Sequence, residues 1–328
     1  MNRFARWMVK HRVIVVIICL ALMIPSIFGM AATRVKYDLL YYLPEDLDTI
    51  KGQNILMEDF GKGAFSLCIT EGLSEVDQAD LEETIRQIPH VDTVIGYASA
   101  LNGSIPSAIL PDNLRERFEN GEDRIFAVFF DETSSAEGTM EAIADIRKAA
   151  GEKCFVSGLS AVVTDTKELV EEQEGIYVAI AVALCCIVLM LTMDSFLLPL
   201  IFLCCIGVSI LWNMGSNYFM GEISYITKAV AAVLQLAVTL DYSIFLWHSY
   251  KEQKSLCSDR DEAMTAAIVQ TFSSIIGSSL TTVAGFIAIC FMSFTLGRDL
   301  GVVMSKGVIL GVLGTITLLP CVIRMMDG

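Results

Sequence analysis

A carboxylate and a phenol stand side by side at Asp241 and Tyr242, within the otherwise apolar stretch AVTLDYSIFLWHSYKEQ. Asp241 lies thirteen residues after Lys228 and short of the lysines at 251 and 254, which at about 1.5 Å per helical residue puts it at membrane depth. An aspartate at the centre of a spanning helix costs roughly 2.5–3.5 kcal/mol on insertion scales, so such residues mark proton or ion paths. A carboxyl there can bind and release a proton, and the adjacent hydroxyl can donate or accept one. An aspartate paired only for structure is the competing reading. Gln235, Thr239 and Tyr242 recur at i, i+4 and i+7, which predicts a polar stripe beside Asp241. Ser278, Ser279, Thr281, Thr282 and Gly285 give the next apolar stretch small and hydroxyl residues that let helices approach and hydrogen-bond across an interface. In the last stretch Lys306 follows Ser305, and Gly307, Gly311 and Gly314 clear a packing face. Lys306 reads equally well as a counter-charge for Asp241 or as a residue snorkelling to the interface. Glu222, Lys228 and Arg298 fall near segment ends, where solvated charge is the default, and His248 is expected at the interface.

The elements that position these residues are apolar stretches long enough to cross a bilayer. Of the 328 residues 54% are hydrophobic, and the mean hydropathy is +0.58, well above a soluble domain. Six stretches reach the roughly 20 residues a span requires: 13–32, 176–193, 196–215, 228–248, 272–293 and 300–323. The first, about 20 residues long and without a convincing small-residue cleavage site, is expected to stay as a span, with GMAAT leaving a removed leader as the competing reading. Arg3, Arg6, Lys10 and Arg12 precede the first span, and Lys251, Lys254 and Arg260 lie between the fourth and fifth. Positive loops mark the cytoplasmic side. Both termini are therefore expected in the cytoplasm, with 33–175 outside, the MDSF turn inside and 249–271 inside as an amphipathic segment.

Charge separates the long insert from the rest. Residues 33–175 hold 12 Lys or Arg against 29 Asp or Glu, a net of −17 within a chain of −15. So acidic an insert argues against nucleic acid as a partner, because phosphate binding needs a basic face. Strand-like runs at RVKYDLL, FSLCIT, DTVIGYA, RIFAVFF and KCFVSG alternate with helical patterns at TIKGQNILMEDFG, EVDQADLEETIRQI and TMEAIADIRKAAG. In the second helix Leu81, Ile85 and Ile88 are expected to face a sheet and Glu82, Glu83 and Arg86 to face water. These units predict an α+β sandwich, with SALNGSIPSAILPDN as a loop at its edge and SAVVTDTKELVEEQEG as a helix running toward the second span. Cys19, Cys185, Cys186, Cys204, Cys205 and Cys290 lie in spans as small packing residues. Cys68 and Cys154 lie in strand-like runs of the insert, where a disulfide and buried free thiols are both open readings. Neither CxxC nor a histidine cluster suggests a metal, and no nucleophile triad or phosphate-cradling glycine loop suggests an enzyme.

The stretch AVTLDYSIFLWHSYKEQ, with DEAMTAAIVQTFSSIIGSSLTTVAGFIAI and LGRDLGVVMSKGVILGVLGTITLLP, resembles the MMPL (mycobacterial membrane protein large) family of the resistance-nodulation-division superfamily. One span, a large insert and a five-span block match it as well. The resemblance implies six transmembrane helices with an extracytoplasmic α+β, ferredoxin-like porter domain, in a proton-driven exporter of lipids or other hydrophobic or amphiphilic compounds. It implies that Asp241 and Tyr242 are the proton-relay pair, with protons as coupling ion and no other cofactor. Gln235, Thr239, Ser278, Thr282 and Lys306 are expected as relay or packing support. Members of the family repeat the unit twice, and 1–328 holds one copy with no internal repeat, so a second half or a second copy is an expected partner beside membrane lipids. A scaffold or sensor, resembling sterol-sensing or protein-export accessory subunits, is the alternative in which Asp241 serves packing.

Overall fold

A computed structural model describes residues 2–38, 40–59, 63–96, 119–120, 123–193, 195 and 197–327. The expected loop SALNGSIPSAILPDN lies outside the described residues, as do Asp194 and Phe196 of the expected MDSF turn. The chain divides into two compact units, one of residues 37–169 and one of residues 1–36 with 170–328.

In the α/β unit, α3 (Asp48–Glu58) precedes β2 (Ala64–Thr70), α4 (Glu75–Arg86), β3 (Val91–Ile95), β5 (Asp123–Phe130), α5 (Glu137–Ala150) and β6 (Cys154–Ser157), with the two-residue β4 (Glu119–Asn120) beside β5. The sheet runs β3-β5-β2-β6, every described pairing antiparallel. The chain order is thus strand, helix, strand, strand, helix, strand, with the first strand central. Along β2 every second residue is buried, the period-2 pattern of a sheet with one face covered. That face carries Cys68, Val94, Phe126, Val128 and Phe130, packed with Ile85, Ile143 and Ile146 of the helices.

Two expectations for this unit change. The strand at RVKYDLL is only β1 (Arg34–Lys36), and it belongs to the other unit, pairing in parallel with β7 (Glu222–Ser224). Glu82 is 2% exposed, because positions 78, 81, 82 and 85 share one helical face. Its carboxylate accepts from Gln78 Nε2 at 3.2 Å, and Gln78 Oε1 accepts from the Thr70 hydroxyl at 2.6 Å. Cys68 and Cys154 are buried free thiols, diagonal to one another on the same face of β2 and β6, with Cys68 opposite Val156 and Cys154 opposite Thr70. The hydrogen bond to Cys154, with burial, pushes the Cys68 thiol well above its usual range.

The other unit is helical: α1 (Asn2–Lys10), α2 (Arg12–Ala32), most of α6 (Leu159–Thr192), α7 (Leu197–Ser216), α8 (Tyr225–Leu256), α9 (Arg260–Ile289) and α10 (Leu296–Met326). Six of these helices, α2 and α6 to α10, are long and apolar enough to cross a membrane. The helix expected at SAVVTDTKELVEEQEG is the first half of α6, continuous with the second span. Residues 249–271 form no separate amphipathic segment: α8 runs to Leu256, and Asp259 caps α9 by accepting from the Asp261 N–H at 3.2 Å. The start of α9 is itself two-sided, with Ala263, Met264, Ala267 and Ile268 buried and Glu262 and Gln270 exposed, and α1 is amphipathic too, with Ala5, Met8 and Val9 buried and Arg3, Arg6 and Lys10 exposed.

Glycines set two close helix crossings. A Cβ on Gly29 of α2 would strike the Gly215 carbonyl of α7, and one on Gly215 would strike the Ser26 backbone. In α10, Gly307 meets the side chains of Asn213 and Gln235, Gly311 meets Thr239, and Gly314 meets Ser209. This stripe therefore admits polar side chains of α7 and α8 into the bundle, as small residues do between spanning helices. Ion pairs tie the helix ends. Arg324 of α10 donates to Asp261 of α9 at 2.7 Å, while Asp327 takes Lys254 at 2.7 Å and the Tyr250 hydroxyl at 2.6 Å. At the opposite ends, Asp299 accepts from the Ser224 N–H at 2.8 Å and the Thr227 hydroxyl at 2.5 Å, which holds the start of α8 against α10.

Candidate functional site

Asp241 falls near the middle of the 32-residue α8, and its side chain is exposed on the outer face of the helical unit. Tyr242, one residue on, is 7% exposed. The two line a pocket of about 400 Å³ with Val238 and Phe245 of α8 and with Ser274, Ile275, Ser278 and Thr282 of α9. Serine and threonine at 274, 278 and 282 recur every four residues, so α9 turns one hydroxyl per turn toward the acid. The Thr282 hydroxyl donates to the Ser278 carbonyl at 3.1 Å, which leaves its lone pairs as acceptors. The pocket thus combines a carboxyl that can carry a proton with hydroxyls that can pass one.

The other expected site residues sit elsewhere. Gln235 and Thr239 do not flank Asp241: both are buried, 3% and 1% exposed, on the face of α8 turned toward α7 and α10. The reason is angular, since positions 235, 239 and 242 form one stripe and Asp241 stands about 200° from Thr239 at 3.6 residues per turn. Gln235 Oε1 accepts from Asn213 Nδ2 of α7 at 2.9 Å. Asn213 was not singled out in the sequence, where a lone amide at the end of the apolar run LIFLCCIGVSILWN gave no periodic signal.

Lys306 does not pair with Asp241. Its ammonium donates to Asn217 Oδ1 at 2.5 Å, in the short 3₁₀ turn Asn217–Met220. The counter-charge reading is thereby replaced by a polar tether between α10 and the end of α7. Two end charges expected to be solvated are paired: Lys228 with Glu174 at 2.8 Å and Glu222 with Lys36 at 3.5 Å. Among the described residues no group of His, Cys, Asp and Glu is arranged to hold a metal ion.

Six long apolar helices and an acid on the middle of one of them define a multi-pass membrane protein. The family model described as the MMPL family matches residues 119–326, and the chain belongs to that family. A membrane protein of Methanocaldococcus jannaschii, MJ1562, is 24% identical over 93% of this chain and 89% of its own length. Membrane protein YdfJ of Bacillus subtilis is 21% identical over 97% of this chain, which spans 44% of YdfJ. Siderophore exporter MmpL5 of Mycobacterium tuberculosis is 25% identical over 58% of this chain, a stretch that amounts to 20% of that exporter.

Proposed function

We propose that this chain is a unit of a proton-driven membrane transporter that exports lipids or other hydrophobic or amphiphilic compounds, with Asp241 as the proton carrier and Tyr242 as its relay partner. The observation that carries the reading is the pocket in which Asp241, Tyr242, Ser278 and Thr282 meet at mid-helix. Relatives named as an exporter and as transport proteins support it. No enzymatic chemistry is assigned to the chain.

Asp241 is exposed on this chain, and a carboxylate turned toward hydrocarbon is costly. A second six-helix unit, a second copy or another half, therefore covers the face formed by α8 and α9. The basic ends of α1 and the α8–α9 turn support cytoplasmic termini and an external α/β unit. The strand order of that unit, with its strand-helix-strand, strand-helix-strand sequence, supports a ferredoxin-like porter domain. Acidic surface makes nucleic acid an unsuitable partner.

Proton uptake by vesicles carrying the purified chain, driven by an imposed pH gradient, tests the reading. Wild-type uptake is expected to vanish in Asp241→Asn while the helical content and thermal midpoint stay unchanged. Undiminished uptake in Asp241→Asn would sink the relay and favour the scaffold alternative.

A further inference from the structure

The interior face of α8 holds polar atoms that the relay pocket does not use. Asn213 and Gln235 share one hydrogen bond, and Asn213 Oδ1 and Gln235 Nε2 are buried without a partner in the protein. Whichever way the two amides are turned, one NH₂ group and one carbonyl are left over. Leaving such buried groups unmet is unfavourable, because each has given up its hydrogen bonds to water. Beside them is a gap of about 10 Å³, lined by both amides with Leu234, Val238, Met304 and Gly307. That is close to the smallest space that accepts one water molecule. One donor and one acceptor are what a bridging water satisfies, whereas the leftover N–H would face a bound cation with the wrong sign.

Val238 lines this gap and also the pocket of Asp241. Tyr242 likewise belongs to both faces, as the next position of the 235, 239, 242 stripe and as a wall of the Asp241 pocket. The buried Thr239 hydroxyl between them also lacks a partner. On the side toward the start of α10, the Lys306–Asn217 bond and the Asp299 cluster continue the polar column.

We infer that Asn213 and Gln235 hold an internal water, and that this water is the interior station from which protons reach Tyr242 and Asp241, with Val238 as the apolar partition between them. The station role rests on the relay reading above; the water site does not.

The test is radiolytic hydroxyl labelling of the full chain in ¹⁸O water, followed by proton uptake in vesicles. Met304, 4% exposed, borders the gap, and Met264, fully buried in apolar packing, is the dry control. Met304 is expected to take up label well above Met264, and the excess to disappear in Gln235→Leu. Labelling of Met304 no greater than that of Met264 in the wild type overturns the water site, whatever the variants do. In uptake assays Gln235→Leu is expected to fall toward the Asp241→Asn level. Val238→Ser, which puts a hydroxyl in the partition, is expected to raise the rate and to have no effect when combined with Asp241→Asn. If Asp241→Asn abolishes uptake while Gln235→Leu keeps the wild-type rate, the station role is overturned and the relay stands. If Asp241→Asn itself is undiminished, the relay fails, and the Met304 label still decides the water site.

Discussion

Asp241 and Tyr242 are neighbours in sequence but point about 100° apart around α8, and that angle divides their surroundings. The acid faces out, toward the hydroxyls of α9. The tyrosine is buried at the edge of the same pocket, on the stripe it shares with Gln235 and Thr239. Asp241→Glu keeps the titrating group and should retain part of the uptake that Asp241→Asn loses, a difference read in the same vesicles. Gly311 tests the packing that fixes the angle. A Cβ there would meet the Thr239 hydroxyl of α8, so Gly311→Val overpacks the crossing and should cost about 1–3 kcal/mol, read as a lowered thermal midpoint in nanodiscs. The dyad itself was legible in the sequence because a charge in an apolar run is conspicuous. Its setting was not: spacing put Gln235 and Thr239 on one stripe, but only tertiary packing decides that this stripe faces α7 and α10. Lys306 illustrates the same limit, since its partner Asn217 lies 89 positions away in the chain.

At the scale of elements, periodicity carried most of what could be known. Runs of apolar residues announced the six long helices, and alternation announced β2 and β5, because both patterns are local consequences of burial. Boundaries needed side-chain caps and partners. Ser224 caps α8 by accepting from the Ile226 N–H, Asp259 caps α9, and the three-residue β1 finds its mate only at β7. Two predictions belong here. Ile143→Ala on α5 empties a fully buried position of the α/β core and should destabilise that unit by about 2–5 kcal/mol, measured by denaturant unfolding. Asp327 concerns the other unit. Despite partial burial, hydrogen bonds from Lys254 and Tyr250 and the nearby Arg260 hold its carboxyl below the usual range. A carboxyl depressed on folding adds stability above its unfolded pKa of about 3.9 and loses it as pH falls through the folded value. Asp327→Asn should therefore lower the thermal midpoint near neutral pH, and the gap from wild type should close below about pH 4.

The whole molecule poses the question of what covers α8 and α9. Helices in a bilayer gain nothing by exposing a carboxylate, so the account requires a second unit over the Asp241 face. Native mass spectrometry of the purified chain in nanodiscs should give a dimer when this chain alone completes the site, with Phe245→Arg on the same face shifting it to monomer. A dimer unaffected by Phe245→Arg would move the interface elsewhere. The sequence could suggest a partner only through resemblance, because packing against another unit adds no periodicity beyond that of an ordinary apolar helix. The acidic α/β unit, by contrast, was separable from charge alone, since the 29 acids of residues 33–175 need water.

The central claim is that the Asp241 carboxyl takes up and releases a proton. Infrared difference spectroscopy reads this directly, as the carbonyl stretch of a protonated carboxyl when the medium is acidified. The account predicts a band that appears on acidification, reverses on return, and is missing from Asp241→Asn. A difference spectrum identical in wild type and Asp241→Asn would contradict it.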